Sequence, residues 1–305
     1  MGRDGGGVAL FAVSGLDARI SGTEAACRHF AHAAEAETAE LRSIRKKREP
    51  LRTKRVRPMP LPANETNFES LLMSCILHIE TSTDVCSVAR SQDGACLFEK
   101  TDDEGSRHAA VLAPFVEEAV SFADSHAIPL DAVAVSCGPG SYTGLRIGVS
   151  TAKGVCYGRG AKLLAVPTLK VLCVPVLLYH EEIPDDALLC PMIDARRMEV
   201  YAAVYDRALR EVVPTAAVVV DGGSFAAQLD ERPVFFFGNG AEKCREVIKH
   251  PNARFISGIV PKAANMLPLA ERAIALGQEA DVAYFEPFYL KEFVATKAKS
   301  LLEKV

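Results

Sequence analysis

The chain has 305 residues, 49% of them apolar and 24% charged, with 35 Lys and Arg against 39 Asp and Glu. That length suits one large domain or two modest ones, and the absence of any run of about 18 apolar residues predicts no membrane span. Charge is uneven: residues 1–72 hold 12 Lys/Arg and 9 Asp/Glu, leaving 23 and 30 for residues 73–305. A body with a net charge of −7 is a poor solo binder of nucleic acid, because phosphate contacts supply most of that affinity.

Nine cysteines are scattered singly, with no C-x-x-C pair. They read as buried free thiols of a reducing, cytoplasmic compartment rather than as disulfides or zinc ligands. Residues 1–72 end in "RKKREPLRTKRVRPMPLP", a basic, proline-rich stretch that cannot build a core. The expectation is a disordered extension or a start assigned too far upstream, with Met73 as the true start. A nucleic-acid arm is the functional alternative, and the acidic residues at 4, 17, 24, 35, 37 and 40 argue against a transit peptide.

From Met73 the pattern sharpens. "SCILHIETS", "VCSVAR" and "ACLFEK" read as strands, the last two joined by the hairpin signal "SQDG". "SRHAAVLAPFVEEAVSFADSH" has helical spacing with Ser106 as N-cap, and Pro114 should bend it. "DAVAVSC" is a buried strand, followed by the glycine-rich loop "GPGSYTGLRIG", a second helix, the strand "AKLLAV" and the helix "PTLKVLCVPVLLYH". The order repeats in kind: strands at "ALLCPMIDA", "EVYAAVYD" and "TAAVVVD", a short helix at "SFAAQLD", a strand "PVFFFGNG", and helices at "AEKCREVIKH" and "AANMLPLAERAIALGQEA". Two similar α/β halves, residues 73–180 and 181–305, imply mixed sheets flanked by helices with a cleft between them. The tail of the second half has the option of returning to the first.

The glycine loop fits neither common phosphate motif. Gly138, Gly140 and Gly144 are spaced one residue too long for GxGxxG, and no Gly-Lys occurs. Ser141 or Thr143 can cap the following helix. Along that helix Leu145, Val149, Ala152 and Cys156 make one apolar stripe, and Gly144, Gly148, Thr151 and Val155 a second stripe of mostly small residues. The second stripe reads either as core or as a face that lets another helix approach closely, by a logic best known from membranes.

"ILHIETSTDVCSVA", "GPGSYTGLRIGVSTAKG", "PMIDARRMEVYAAVY" and "FEPFYLKEFVATK" together resemble the TsaB family, also called YeaZ, in order and approximate spacing over residues 75–297. The resemblance implies the ASKHA fold of actin, sugar kinases and Hsp70. It also implies a role in making threonylcarbamoyladenosine beside the anticodon of tRNAs that read codons starting with A. In that family the protein is the non-catalytic scaffold that activates its partner TsaD, which holds the metal and transfers the threonylcarbamoyl group; the ATPase TsaE joins the pair, and tRNA is met only through the complex. The implied partner face, shared with TsaD or with a second copy when TsaD is absent, is Arg107, His108, Leu112, Tyr142, Thr143, Gly144, Leu145, Arg146, Gly148, Thr151 and Val155. Arg146 is placed to reach Glu117, Glu118 or a partner carboxylate.

An ASKHA nucleotide site needs a strand-end acid with small hydroxyl neighbours, a second glycine-bearing turn for phosphate, and a glycine-rich nucleoside turn. This chain offers Glu80, Thr81 and Ser82 without the glycine, Asp194 followed by Ala195, Arg196 and Arg197, and only Gly238 and Gly240. These six residues (Glu80, Thr81, Ser82, Asp194, Gly238, Gly240) read as a vestigial nucleotide site. No cofactor or metal is expected for the chain alone, a nucleotide at the junction with TsaD being the exception left open. The body's histidines, at 78, 108, 126, 180 and 250, provide no i, i+4 pair of the kind that places two rings on one helix face, which also disfavours a peptidase. The competing reading is an independent ATP-dependent small-molecule kinase or ATPase of the same fold.

Overall fold

The computed structural model describes residues 74–105 and 107–291. The expectations for residues 1–72, for Ser106 as N-cap and for the "EFVATK" run lie outside the described residues. Strands β1 (Cys75–Glu80), β2 (Cys86–Gln92), β3 (Ala95–Asp102), β4 (Ala132–Gly138) and β5 (Lys162–Pro167) form one sheet in the order β3-β2-β1-β4-β5. Strands β6 (Leu188–Asp194), β7 (Glu199–Tyr205), β8 (Glu211–Val219), β9 (Val234–Phe237) and β10 (Ala253–Ile256) form the second in the order β8-β7-β6-β9-β10. In each sheet the first three strands run as an antiparallel meander and the last two lie parallel to the first. The two lobes therefore repeat one topology strand for strand, which is the duplicated α/β architecture of the ASKHA fold.

Burial explains the sequence patterns. The parallel strands β4 and β5 are covered on both faces, so they read as near-continuous apolar runs. Helices α1 (His108–Ser125) and α2 (Tyr142–Arg159) cover the outer face of the first sheet. There Leu112, Val116, Ala119, Val149, Ala152 and Cys156 pack on Leu77, Ile79, Val133 and Val135. Helix α3 (Thr168–Tyr179) lies between the lobes: Val171 belongs to the inner core of the first sheet, while Leu169, Leu172, Cys173 and Val176 pack on the second. A helix buried over most of its surface has no continuous polar face, and its sequence shows none. Helix α4 (Ala226–Glu231) covers the outer face of the second sheet.

Helix α5 (Leu267–Ala275), entered through a 3₁₀ turn at Ala263–Met266, packs beneath the first sheet through Met266, Ala270 and Ala273. The chain then crosses the first lobe as a strap. Ala280 N donates to Leu163 O at 2.8 Å, Lys153 Nζ donates to the carbonyls of Ala283 and Phe285, and Phe288 N donates to Cys137 O at 2.7 Å.

Two local expectations change. The stretch 241–250 is not an α-helix: it closes through i to i+3 bonds such as Cys244 N to Ala241 O and Arg245 N to Glu242 O, keeping Ala241, Cys244 and Ile248 on the sheet. Strand β10, "ARFI", is four residues long, too short to announce itself by alternation.

Candidate functional site

The lobes meet at the carboxyl ends of β1, β4, β6 and β9, where two Gly-x-Gly turns occupy equivalent places. After β4 comes Gly138–Pro139–Gly140 and after β9 comes Gly238–Asn239–Gly240. Gly138 and Gly238 have φ of +109° and +100°, a region that L side chains rarely adopt. A Cβ on Gly140 would overlap Ser82, and one on Gly240 would stand 2.8 Å from the Ile193 carbonyl carbon. Each turn is thus pressed against the end of its own lobe's first strand. Ser141 N donates to Ser82 O at 2.7 Å, and Gly240 N donates to Met192 O at 3.0 Å. The same approach continues down α2. Gly144 and Gly148 lie over Thr81, whose hydroxyl donates to Gly144 O at 2.8 Å, and Ser141 caps the helix by accepting from Gly144 N.

This geometry corrects several expected roles. Gly144, Leu145 and Gly148 are buried inside the chain, as are Leu112 and His108 on α1, so they cannot be presented to a partner. Thr151 and Val155 are half-buried, Val155 against the outer core. On the surface remain Arg107, Thr143 and Arg146, with Tyr142 half-exposed. Arg107 pairs with Asp102 at 2.5 Å and Glu104 at 2.8 Å, which holds the Asp102 carboxyl below its usual range. Arg146 reaches neither Glu117 nor Glu118. It lies 5.5 Å over the Tyr142 ring, while Glu118 pairs with Lys100. The exposed small residues of α2 are instead Ser150, Gly154 and Gly158, and a Cβ built on either glycine meets nothing within 4 Å.

The expected nucleotide site divides in the same way. Glu80 is fully buried; its Oε1 accepts from Ser82 N at 2.7 Å, its Oε2 has no partner among the described residues, and burial raises its pKa. Glu80 and Thr81 lie behind the cleft rather than in it, and Gly238 and Gly240 are filled by the β6 backbone. Only Ser82 and Asp194 of the six line the open space, a cleft of about 830 Å³. The residues present do not fit a nucleotide triphosphate: the turn after Asp194, where glycines would admit phosphate, carries Ala195, Arg196 and Arg197, and the nucleoside-turn glycines Gly238 and Gly240 are in contact with the β6 backbone. Cys137, at the end of β4, is no nucleophile, since burial pushes its thiol up to about 12.

The cleft's far wall is the β6–β7 turn. Lys243 Nζ donates to Asp194 Oδ1, Arg197 O and Glu199 O, each at 2.7 Å. Asp194 Oδ1 also accepts from Arg196 N at 2.7 Å, and Asp194 N donates to Asn239 Oδ1. Lys291 pairs with Glu199, and the Tyr289 ring lies 4.7 Å from that of Tyr142. Lys243, Lys291 and Tyr289 are not among the expected site residues: Tyr289 and Lys291 stand in the "FEPFYLKEFVATK" stretch that carries the family resemblance, while nothing in its neighbouring sequence marks Lys243, which acts from behind the turn. Among the described residues no cluster of three or more His, Cys, Asp or Glu could hold a metal, and no helix is long and apolar enough to cross a membrane.

Comparison with known proteins adds the following. A family model described as TsaD, tRNA N6-adenosine threonylcarbamoyltransferase, matches residues 103–299. The tRNA threonylcarbamoyladenosine biosynthesis protein TsaB of Escherichia coli is 30% identical over 234 residues, 73% of this chain and 96% of that protein. TsaB of Bacillus subtilis is 29% identical over 222 residues, 71% of this chain and 93% of its own length. The solved structure of YeaZ from Pseudomonas aeruginosa superposes with a TM-score of 0.61 at 28% identity, covering 72% of this chain and all of that one.

Proposed function

The chain belongs to the TsaB family, within the wider group that the threonylcarbamoyltransferase model describes, and on that premise we propose that it is the non-catalytic, activating subunit of a tRNA threonylcarbamoyladenosine-forming complex. It works by pairing with a TsaD protein, which supplies the metal and the transfer chemistry. TsaE joins that pair, tRNA is engaged through the assembly in the cytoplasm, and the chain self-associates when TsaD is lacking.

The observation that carries this reading is the closure of both Gly-x-Gly turns on the strand ends at Ser82 and at Met192–Asp194. Both turns are structural clamps, the turn after Asp194 carries arginines where a phosphate turn needs glycines, and the buried Glu80 is turned away from the cleft. The rival kinase or ATPase reading needs a glycine-bearing phosphate turn and an open nucleoside turn, and this chain offers neither. What remains to offer a partner is the outer helical face, where α2 exposes Ser150, Gly154 and Gly158 beside Tyr157. Small residues at four-residue spacing allow a second helix to come close, a logic carried over from membrane helix pairs.

The test is co-purification with the TsaD protein of the same genome, followed by a tRNA-modification assay in which each subunit is omitted in turn. Modification that depends on both chains supports the reading. Full modification without this chain, or steady ATP hydrolysis by the purified chain that is lost on Glu80→Ala, overturns it in favour of the kinase.

A further inference from the structure

The β6–β7 turn carries a feature that neither the fold nor a scaffold role requires. Arg196 and Arg197 are consecutive and both left-handed, with φ of +71° and +48°. Side chains other than glycine, asparagine and aspartate seldom take this conformation, and a pair of arginines in it persists only where the surroundings hold it. They do so here. The turn is closed by Glu199 N to Arg196 O and Ala195 N to Glu199 O, and it is pinned from behind by the three donations of Lys243 and by Asp194.

The rigid turn holds two exposed guanidinium groups at the cleft mouth, and neither makes a side-chain hydrogen bond or ion pair among the described residues. The cleft's own acids do not answer them. Asp194 is taken by Lys243 and Glu199 by Lys291, leaving Asp84 as the one lining carboxylate without a basic partner among the described residues. With those pairs formed, Arg196 and Arg197 face that single lining carboxylate. Hydroxyls of Ser82, Ser141 and Thr143 and the paired rings of Tyr142 and Tyr289 form the opposite wall.

We propose that Arg196 and Arg197 form a phosphodiester-binding element that grips the backbone of the substrate tRNA at the mouth of this cleft. A free nucleotide triphosphate is the wrong occupant, since it needs a glycine-bearing backbone cradle, and this turn carries Ala195, Arg196 and Arg197 instead. An RNA strand needs only exposed cations along its path and an aromatic or hydroxyl surface beside it. Two arginines on one chain of net negative charge do not hold tRNA alone, so the element acts as a local contact within the complex. The inference rests on the tRNA-modifying role proposed above.

The test replaces Arg196→Asn together with Arg197→Gly, residue types that tolerate positive φ, and compares Arg196→Lys with Arg197→Lys as the charge-retaining control. Affinity of the chain–TsaD complex for an unmodified tRNA transcript is measured across a salt series. Losing two phosphate contacts should weaken binding and flatten the slope of log affinity against log salt by about 0.7–0.9 per contact. The lysine pair should keep most of the slope. The melting temperature and the assembly with TsaD should hold, which separates the effect from misfolding.

An unchanged salt slope overturns the proposal. So does loss of TsaD binding, which would make the arginines a subunit contact, or arginine-dependent binding of ATP or AMP with tRNA affinity intact. If the wild-type chain forms no complex with TsaD, the proposed function fails and this inference fails with it; an unchanged salt slope in a complex that does form overturns the inference alone.

Discussion

Gly144 and Gly148 show what a single missing Cβ does in this chain. In sequence they form a stripe of small residues that suits core and partner face equally well; the structure presses both against Thr81. The difference was not legible because clearance around a Cβ is a property of the folded neighbours, here the end of β1 more than sixty residues away. Gly144→Ala raises intrinsic helix propensity by up to about 1 kcal/mol but drives a methyl into the Thr81 carbonyl, a backbone atom that cannot swing aside. Overpacking of that kind costs about 1–3 kcal/mol, so the melting temperature should fall, while molecules that do fold should bind TsaD with unchanged affinity. Preserved stability with lost association would restore the partner-face reading. At His78 the alternation of the strand indicated core or cleft wall rather than a ligand. The ring is fully buried, its Nε2 lies 2.8 Å from Ser91 Oγ, and burial lowers its pKa from 6.5 to about 3. The unfolded chain therefore takes up a proton between those values that the folded chain refuses. Stability is full above about pH 6.5 and declines as pH falls toward 3, by at most about 1.4 kcal/mol per unit. Denaturant titrations of wild type and His78→Gln from pH 7 to 4 should show a shallower decline in the variant, and parallel curves would remove His78 as the cause.

Elements were more legible than residues wherever periodicity met a single face. The stripe Leu145, Val149, Ala152 and Cys156 on α2 packs on the first sheet as its spacing predicts, and β1 to β3 follow from apolar runs and one turn signal. Legibility failed where tertiary contact overrode local preference. The stretch 241–250 is rich in helix formers, yet the clamp at Gly240 and the donations of Lys243 to Asp194, Arg197 and Glu199 tie its start to the β6–β7 turn, and it proceeds as tight turns. The small-residue stripe read from the sequence and the exposed small residues on which the partner face is proposed lie at different angles on α2. Seen from the sheet, Gly144 and Gly148 point inward and Gly154 and Gly158 outward. Gly154→Leu should therefore leave the isolated chain neutral or slightly more stable, since glycine costs up to about 1 kcal/mol in a helix interior. A leucine there should separate two closely packed helices at a cost of about 1–3 kcal/mol, or about ten- to a hundredfold in affinity for TsaD. Calorimetric binding with unchanged affinity would place the partner elsewhere.

At the scale of the molecule the repeat of one topology places Glu80 and Asp194 at equivalent strand ends and Gly138 and Gly238 in equivalent turns, yet the two lobes are not joined symmetrically. Helix α3 shares its apolar surface between both sheets. The strap after α5 runs only one way, from beneath the first sheet across α2 to the glycine loop of the first lobe and on to Glu199 of the second. Val282 and Phe285 pack at the edge of the outer core, and Phe288 O lies 2.6 Å from where a Cβ on Gly138 would stand. A chain ending at Gly277 loses these contacts together. Half-burial of one phenylalanine and one valine is worth about 2 kcal/mol, and at about 2–4 °C per kcal/mol for a body of this size the melting temperature should drop by about 4–8 °C. The loss should be felt first in the first lobe, where α2 and the Gly138 turn are left uncovered. Hydrogen exchange should therefore quicken at Gly138–Thr143 before it does in β6 and β7. A synthetic peptide of residues 278–291 should recover part of the loss, because the strap's hydrogen bonds are to main-chain atoms that the truncated chain still presents. If the truncated chain melts where the full one does, or if exchange rises evenly across both lobes, the strap is a passive tail and the lobes are held by α3 alone.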